Sequence, residues 1–371
     1  MNTSSGLRGE DVTVAALRTL YERYGYAPYK MSKFEEYDLY VRNKDFLISD
    51  SIITFTDTNG KLMALKPDVT LSIVKNTADV SEGVRKMYYD ESVYRVAKST
   101  HSFREIRQVG LECLGTPDAY CLSEVLLLAA ESLKTLSDEA VLDVSHLGVV
   151  TGVLDLVGVP EQSRAAALKY IGEKNRHELS ALCLEAGVEE SGVALLCDLI
   201  GTYGAPEEVL PRLYALLHDT PLAETVEELT ATLAPLAGNA SVRLDLSVVS
   251  DVRFYNGIVF KGFISGIPGA VLSGGQYDRL LHKMGKASGA IGFAVYLNML
   301  EDLFVAARDY DADDVLLYDA GEVPGMIAAA VSELQKGGGR VLALGTLPEK
   351  ISCRRVWKLS GSEVALLETR S

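Results

Sequence analysis

The chain lacks the signatures of several large functional classes. Among its 371 residues there is no P-loop, no G-x-G-x-x-G and no H-E-x-x-H pattern, so the common phosphate cradles and helix-borne zinc sites are not encoded. Its five cysteines (Cys113, Cys121, Cys183, Cys197, Cys353) are scattered with no C-x-x-C pair. That spacing excludes a zinc ribbon and a disulfide framework, and free thiols suit a reducing compartment. No apolar run approaches the roughly 20 residues of a membrane helix, and the opening MNTSSGLRGEDVT has no stretch of signal-peptide type. The expectation is a soluble, cytoplasmic chain with no membrane partner. Basic residues are few, 36 Lys and Arg against 51 Asp and Glu, for a net charge of −15. Lys and Arg supply most of the affinity of nucleic-acid binders, so this balance argues against such binding as the main task. None of the five histidines (His101, His146, His177, His218, His282) has a carboxylate or cysteine at a metal-ligand spacing. Neither a catalytic apparatus nor a cofactor or metal site is expected.

What is present is an ordinary globular composition, 48% hydrophobic and 23% charged, in a chain long enough for two or three domains. Gly9 to Tyr24 reads as an amphipathic helix with Leu17, Leu20, Tyr21 and Tyr24 on one face and Gly25 as its C-terminal cap. From Tyr26 to Gly115 the pattern is mainly strands. TFTDTNGKLMALK predicts a hairpin about Asn-Gly, and VRKMYYDESVYRV predicts a second one, with Asp90 and Glu91 near its reversal. Ala119 to Leu136 returns to helical spacing. From Pro160 to about Leu236, Ala, Leu and Glu dominate, which predicts a helical insertion. Strand signals resume at Ser241 and run through RFYNGIVFKGFI and AVLSGG to a helix beginning near Tyr277. After Tyr310, DDVLLYDA, GMIAAAVSELQ and GGGRVLALG predict strand, helix and strand, with Gly337–Gly339 as a helix stop. Two strand clusters separated by helices imply one mixed sheet assembled from distant segments.

Two stretches stand out chemically. In REIRQVGLECLG, alternation puts Arg104, Ile106, Gln108, Gly110 and Glu112 on one strand face. An amide and a carboxylate then flank a glycine that lets a ligand approach closely, an arrangement suited to a small ammonium-bearing molecule. A solvated polar sheet face explains the pattern as well. In SGGQYDRL, Gly274 and Gly275 permit close backbone approach just before Tyr277; a plain turn explains this segment too.

Taken in order, six segments resemble the histidyl-tRNA synthetase family over roughly the first 300 residues. YGYAPYKMSKFEEYDLYV opens the match, and FTDTNGKLMALKPDVT is similar to the family's L-R-P-E-G-T stretch. YRVAKSTHSFREIRQVGLECLG is similar to the second class II motif, VVSDVRFYNGIVF to R-G-L-D-Y-Y, and LSGGQYDRLL to A-G-G-R-Y-D. ASGAIGFAVYLNMLEDL stands where the third motif falls. The resemblance implies an α+β fold: a class II aminoacyl-tRNA synthetase-like core with a mixed, mainly antiparallel sheet flanked by helices. It implies core segments at 1–159 and 237–309, a helical insertion at 160–236 and a small C-terminal α/β domain at 310–371. By the same resemblance Asp68, Thr70, Gln108, Glu112, Tyr255 and Tyr277 form a histidine pocket, with Asp68 where a glutamate is usual.

The further departures from the family pattern concern activation by ATP. The F-R-x-E signature reads Tyr94-Arg95-Val96-Ala97, which keeps the nucleotide-site Arg95 and loses the adenine-binding glutamate. The arginine opening R-G-L-D-Y-Y is replaced by Ser250, and the third-motif arginine by Met299. Arginine is hard to replace at a phosphate because its fixed fork of donors pairs with oxygens bidentately. The segment after Tyr310 is also shorter than the family's anticodon-binding domain, so tRNA is not expected as a partner. This combination resembles a paralogous group, the non-catalytic regulatory subunits of short-form ATP phosphoribosyltransferase, the enzyme that opens histidine biosynthesis. It implies a homodimer within a hetero-oligomer with catalytic subunits, and L-histidine as effector. The alternatives are a divergent histidyl-tRNA synthetase and a stand-alone amino-acid-binding paralogue.

Overall fold

Helix α1 (Gly9–Arg23) forms because Val14, Leu17 and Tyr21 recur on one buried face, and it stops where Gly25 takes a φ of 81°. This is the start of a computed structural model that describes residues 9–43, 52–80, 82–97, 101–249, 254–300 and 310–370. The chain divides into two units, Val14–Leu300 and Glu301–Ser371 with Met1–Thr13.

The large unit is built on a nine-stranded sheet. Its strands are β1 (Ala27–Pro28), β5 (Val84–Val96), β6 (Phe103–Gly115), β7 (Ala140–His146) and β8 (Tyr203–Gly204), followed by β9 (Val242–Asp245), β10 (Ile258–Ile264), β11 (Leu272–Gln276) and β12 (Gly289–Tyr296). The order is β1-β5-β6-β12-β11-β10-β7-β9-β8. Only β1/β5 and β7/β9 are parallel pairs. The two strand clusters of the sequence therefore join edge to edge in one sheet, where β12 lies beside β6 (Gly292 opposite Glu112).

A separate three-stranded sheet contains β2 (Phe34–Glu36), β3 (Thr54–Thr56) and β4 (Leu62–Leu65). Strands β3 and β4 are the hairpin expected about Asn-Gly, and Gly60 has the positive φ of 81° that such a turn requires. Two short helices break what the sequence suggested as mainly strands: α2 (Tyr37–Arg42) and α3 (Val69–Asn76). Helix α3 starts where the Asp68 carboxylate accepts the Leu71 N–H at 2.9 Å. Its Val69, Leu71, Ile73 and Val74 are all buried, while Ser72, Lys75 and Asn76 form a polar side that bonds the Glu35 carboxylate. The expected reversal at Asp90 and Glu91 is absent. β5 runs straight through them and pairs with β6 from Val84 to Val96. The two acids suit a strand interior because both are paired, Asp90 with Arg107 at 2.8 Å and Glu91 with the fully buried Lys66 at 2.9 Å.

Helix α4 (Ala119–Leu136) is capped by Asp118 and buries Val125, Leu126, Leu128, Ala129 and Leu133. It packs on β7, β10 and β12; each leucine buried there contributes about 1.5–3 kcal/mol. Between β7 and β9 run α5 (Leu147–Leu156), α6 (Glu161–Gly172), α7 (Arg176–Glu185), α8 (Glu190–Ile200), α9 (Pro206–Leu217) and α10 (Ala223–Leu233). Their one strand, β8, pairs with β9 and ties the helices to the sheet edge. Helix α11 (Asp278–Lys283) follows Tyr277.

The small unit orders its strands β14 (Val341–Leu344), β13 (Ala312–Leu317), β15 (Cys353–Ser360) and β16 (Glu363–Thr369), with α12 (Pro324–Gln335) between β13 and β14. Its centre is Asp314, fully buried, which accepts hydrogen bonds from Arg355 Nε at 2.7 Å, Arg355 Nη2 at 2.8 Å and Trp357 Nε1 at 2.6 Å. The β15–β16 hairpin was not expected from sequence. A register shift at Val356/Trp357 breaks its alternation.

Candidate functional site

Strands β6, β12 and β11 lie side by side and make the floor of a cavity. Pairing sets Glu112 opposite Gly292 and Gly110 opposite Ala294, and alternation turns Gln108, Gly110 and Glu112 to the same face. Glycine is required beside the carboxylate, because a Cβ on Gly292 would lie 1.8 Å from Glu112 Oε2. Gly110 is equally constrained; a Cβ there would meet the Phe293 carbonyl oxygen at 2.2 Å and the Tyr89 hydroxyl at 2.5 Å. The walls come from the start of α3, which brings Asp68 and Thr70, from Phe254 and Tyr255, and from Tyr277. With the open solvent at its mouth counted in, the cavity takes up roughly 630 Å³ of non-protein space.

Glu112 is the centre. Thr70 Oγ1 donates to its Oε1 at 2.9 Å and the Tyr277 hydroxyl to its Oε2 at 2.5 Å. Burial pushes the Glu112 carboxyl up to about 8, against the pull of those two donors and with a further push from Asp68. Asp68 is itself raised by burial, partly offset by the Leu71 N–H and Arg95. Burial raises the Tyr277 and Tyr89 hydroxyls well above the ordinary tyrosine range, so both stay protonated. Gln108 is 4% exposed, lines the cavity and its side chain has no hydrogen-bond partner among the described residues. Its amide faces the open cavity, where water or a ligand can complete it. Two buried carboxyls, a free amide and two phenols suit recognition of a small, polar, ammonium-bearing molecule.

Asp68, Thr70, Arg95, Gln108, Glu112, Tyr255 and Tyr277, singled out from sequence, all line this one cavity. Sequence reasoning missed Tyr89, Ser273 and Tyr296, which also line it. Ser273 was within reach, since alternation along LSGGQ puts it on the same face as Gly275. At the positions expected by resemblance to face a nucleotide, Arg95 Nε donates to the Pro67 carbonyl at 3.0 Å, and Ala97 brings no carboxylate. Met299 Cε lies 3.7 Å from where a Gly269 Cβ would stand. Ser250 lies outside the described residues. Among the described residues no group of three His, Cys, Asp or Glu side chains is placed to hold a metal ion, and no helix is long and apolar enough to cross a membrane.

Residues 7–300 match the family model for histidyl-tRNA synthetase. The chain belongs to the histidyl-tRNA synthetase family. Within that family it is similar to proteins named ATP phosphoribosyltransferase regulatory subunit. One, from Thermus thermophilus, is 29% identical over 309 residues, 82% of each chain. Another, from Alkaliphilus metalliredigens, is 26% identical over 286 residues, 75% of this chain and 72% of its own. The fold is that of a crystal structure from Bacillus halodurans described as an ATP phosphoribosyltransferase regulatory subunit/histidyl-tRNA synthetase. It superposes with a TM-score of 0.75 over 92% of this chain and 90% of that one, at 21% identity. The class II synthetase-like core with its mixed, mainly antiparallel sheet is thus common to this chain and its histidyl-tRNA synthetase relatives.

Proposed function

We propose that this chain is the regulatory subunit of a short-form ATP phosphoribosyltransferase, needed for the first step of histidine biosynthesis and without aminoacylation or phosphoribosyl-transfer chemistry of its own. One observation carries the reading. Curated relatives that match it over three quarters or more of its length, among them those from Thermus thermophilus and Alkaliphilus metalliredigens, are named regulatory subunits of that enzyme, and the chain departs from the synthetase pattern chiefly at the ATP contacts, with Asp68 for a glutamate the one conservative change in the amino-acid cavity. Adenylate formation needs donors in place where negative charge develops on phosphate. Here Met299 and Ala97 stand where an arginine and a glutamate would serve.

The cavity around Glu112 is proposed as a histidine site, with the ammonium on Glu112 and the Gln108 amide completed by the ligand. The subunit is proposed to act in the cytoplasm as a dimer within a hetero-oligomer, with segments 160–236 and 310–371 as a helical insertion and a separate small domain. Regulation then follows from linkage. Histidine shifts the partner's activity only as far as it binds the two states of the assembly with different affinity.

Size-exclusion chromatography with the short-form catalytic subunit of the same organism, followed by calorimetry with histidine, tests this. Co-elution and a saturable histidine signal are expected. Separate elution together with ATP–pyrophosphate exchange activity would return the chain to the synthetases.

A further inference from the structure

The side chains that rise from the cavity floor change size along the strand axis. Glu112 has Gly292 and then Gly275 as neighbours across the sheet, and Gly110 has Ala294 and then Ser273. One step further, Gln108 is opposite Tyr296. The floor is therefore low beside the carboxylate and ends at a phenol. The Tyr296 hydroxyl is paired with Ser273 Oγ at 2.6 Å, which leans the ring across toward β11. Arg95 is carried on β5 opposite Arg104, four positions past Glu91, the partner of Gln108. At the usual strand rise that is about 13 Å along the sheet. Tyr296 is thus placed on the floor between Glu112 and the strand end that carries Arg95, near enough to Arg95 to interact with its charge.

We propose that Tyr296, held on Ser273, is a specificity-determining wall that limits the cavity to a free amino acid and excludes an aminoacyl adenylate, whose phosphate and purine would have to extend past it toward Arg95. This rests on the amino-acid reading of the site and adds a positive obstruction to the missing ATP contacts. A regulatory site gains from such a wall, because free amino acid is read without competition from nucleotide esters of the same side chain. Selectivity built by obstruction needs no contact with the excluded ligand.

The test is calorimetry on the full chain with two probes, L-histidine and the non-hydrolysable sulfamoyl analogue of histidyl adenylate. For the unmodified chain the analogue is expected to bind at least tenfold more weakly than histidine. Tyr296→Ala is expected to tighten the analogue at least tenfold relative to histidine, a gain that misfolding does not produce. Tyr296→Phe keeps the ring but loses its hold on Ser273, and is expected to move the ratio in the same direction but less than Tyr296→Ala. If Tyr296→Ala does not fold, Tyr296→Val, better suited to a strand, serves the same purpose. Equal or tighter binding of the analogue by the unmodified chain overturns the proposal, as does an unmoved ratio in a folded variant. Failure of the unmodified chain to bind histidine, with the analogue gained by Tyr296→Ala, leaves the wall standing and removes the amino-acid reading. Failure of both removes both.

Discussion

Replacing Glu112 with glutamine should separate two effects of one buried carboxyl. Glu112 is 2% exposed and titrates at about 8 because burial disfavours its charge. At pH 6 about 1% of it is ionised, and at pH 8 about half, by the ordinary titration relation. If the ligand ammonium pairs with the carboxylate, affinity should rise about fifty-fold across that interval, about 2.3 kcal/mol. Histidine's own imidazole titrates in the same range, so the useful quantity is the affinity of the unmodified chain divided by that of Glu112→Gln at each pH, in which the ligand's titration cancels. Calorimetry at pH 6, 7 and 8 should show this ratio climbing. The stability consequence has the opposite sense. The folded-state value lies above the ordinary 4.5, so the folded chain holds its proton longer than the unfolded chain does. Its contribution is fully present below about pH 4.5 and is lost as pH rises to about 8, several kcal/mol in all. Thermal melts without ligand should find Glu112→Gln more stable than the unmodified chain at pH 8, with the advantage gone at pH 4.5. A ratio that stays flat between pH 6 and 8 while both proteins bind histidine would refute the pairing of ammonium with Glu112.

Gly292→Ala places a methyl where Glu112 Oε2 now lies, 1.8 Å from the new carbon. It should weaken histidine at least tenfold and lower stability by about 1–3 kcal/mol, measured by calorimetry and denaturant titration. Glu91→Ala leaves the Lys66 ammonium, whose side chain is 0% exposed, buried without its partner; urea unfolding should show a loss of about 3–5 kcal/mol. Asp314→Asn weakens the bonds from Arg355 and Trp357. Since Trp357 is the single tryptophan, its fluorescence should report the small unit loosening at lower denaturant than the far-ultraviolet dichroism of the whole chain.

Much of the large unit was legible because its segments keep clean periods. The spacing of Leu17 and Tyr21 gave α1, and the alternation in REIRQVGLECLG gave β6 with Gln108 and Glu112 on one face. Helix α3 was hidden because it is only eight residues long, too short a window for a 3.6-residue period to stand out. The straight run of β5 through Asp90 and Glu91 was misread as a turn, since partners such as Lys66 and Arg107 lie 25 and 17 residues away. Strand order could not be read at all. That β12 lies next to β6 depends on closing a loop of well over a hundred residues, which no local pattern records. The cavity was partly legible: alternation put Gln108 and Glu112 on one face and the glycine pair pointed to Tyr277, while Asp68, Thr70, Arg95 and Tyr255 came only from the family resemblance. Tyr89 and Tyr296 were not found, because their role depends on which strands become neighbours.

The central claim is best tested by the rate of phosphoribosyl-ATP formation by the short-form catalytic subunit from the same organism, with and without this chain, and then with histidine added. Strong stimulation that histidine reverses is the predicted result. A catalytic subunit equally active alone, and unaffected by the chain at any histidine concentration, would contradict the account.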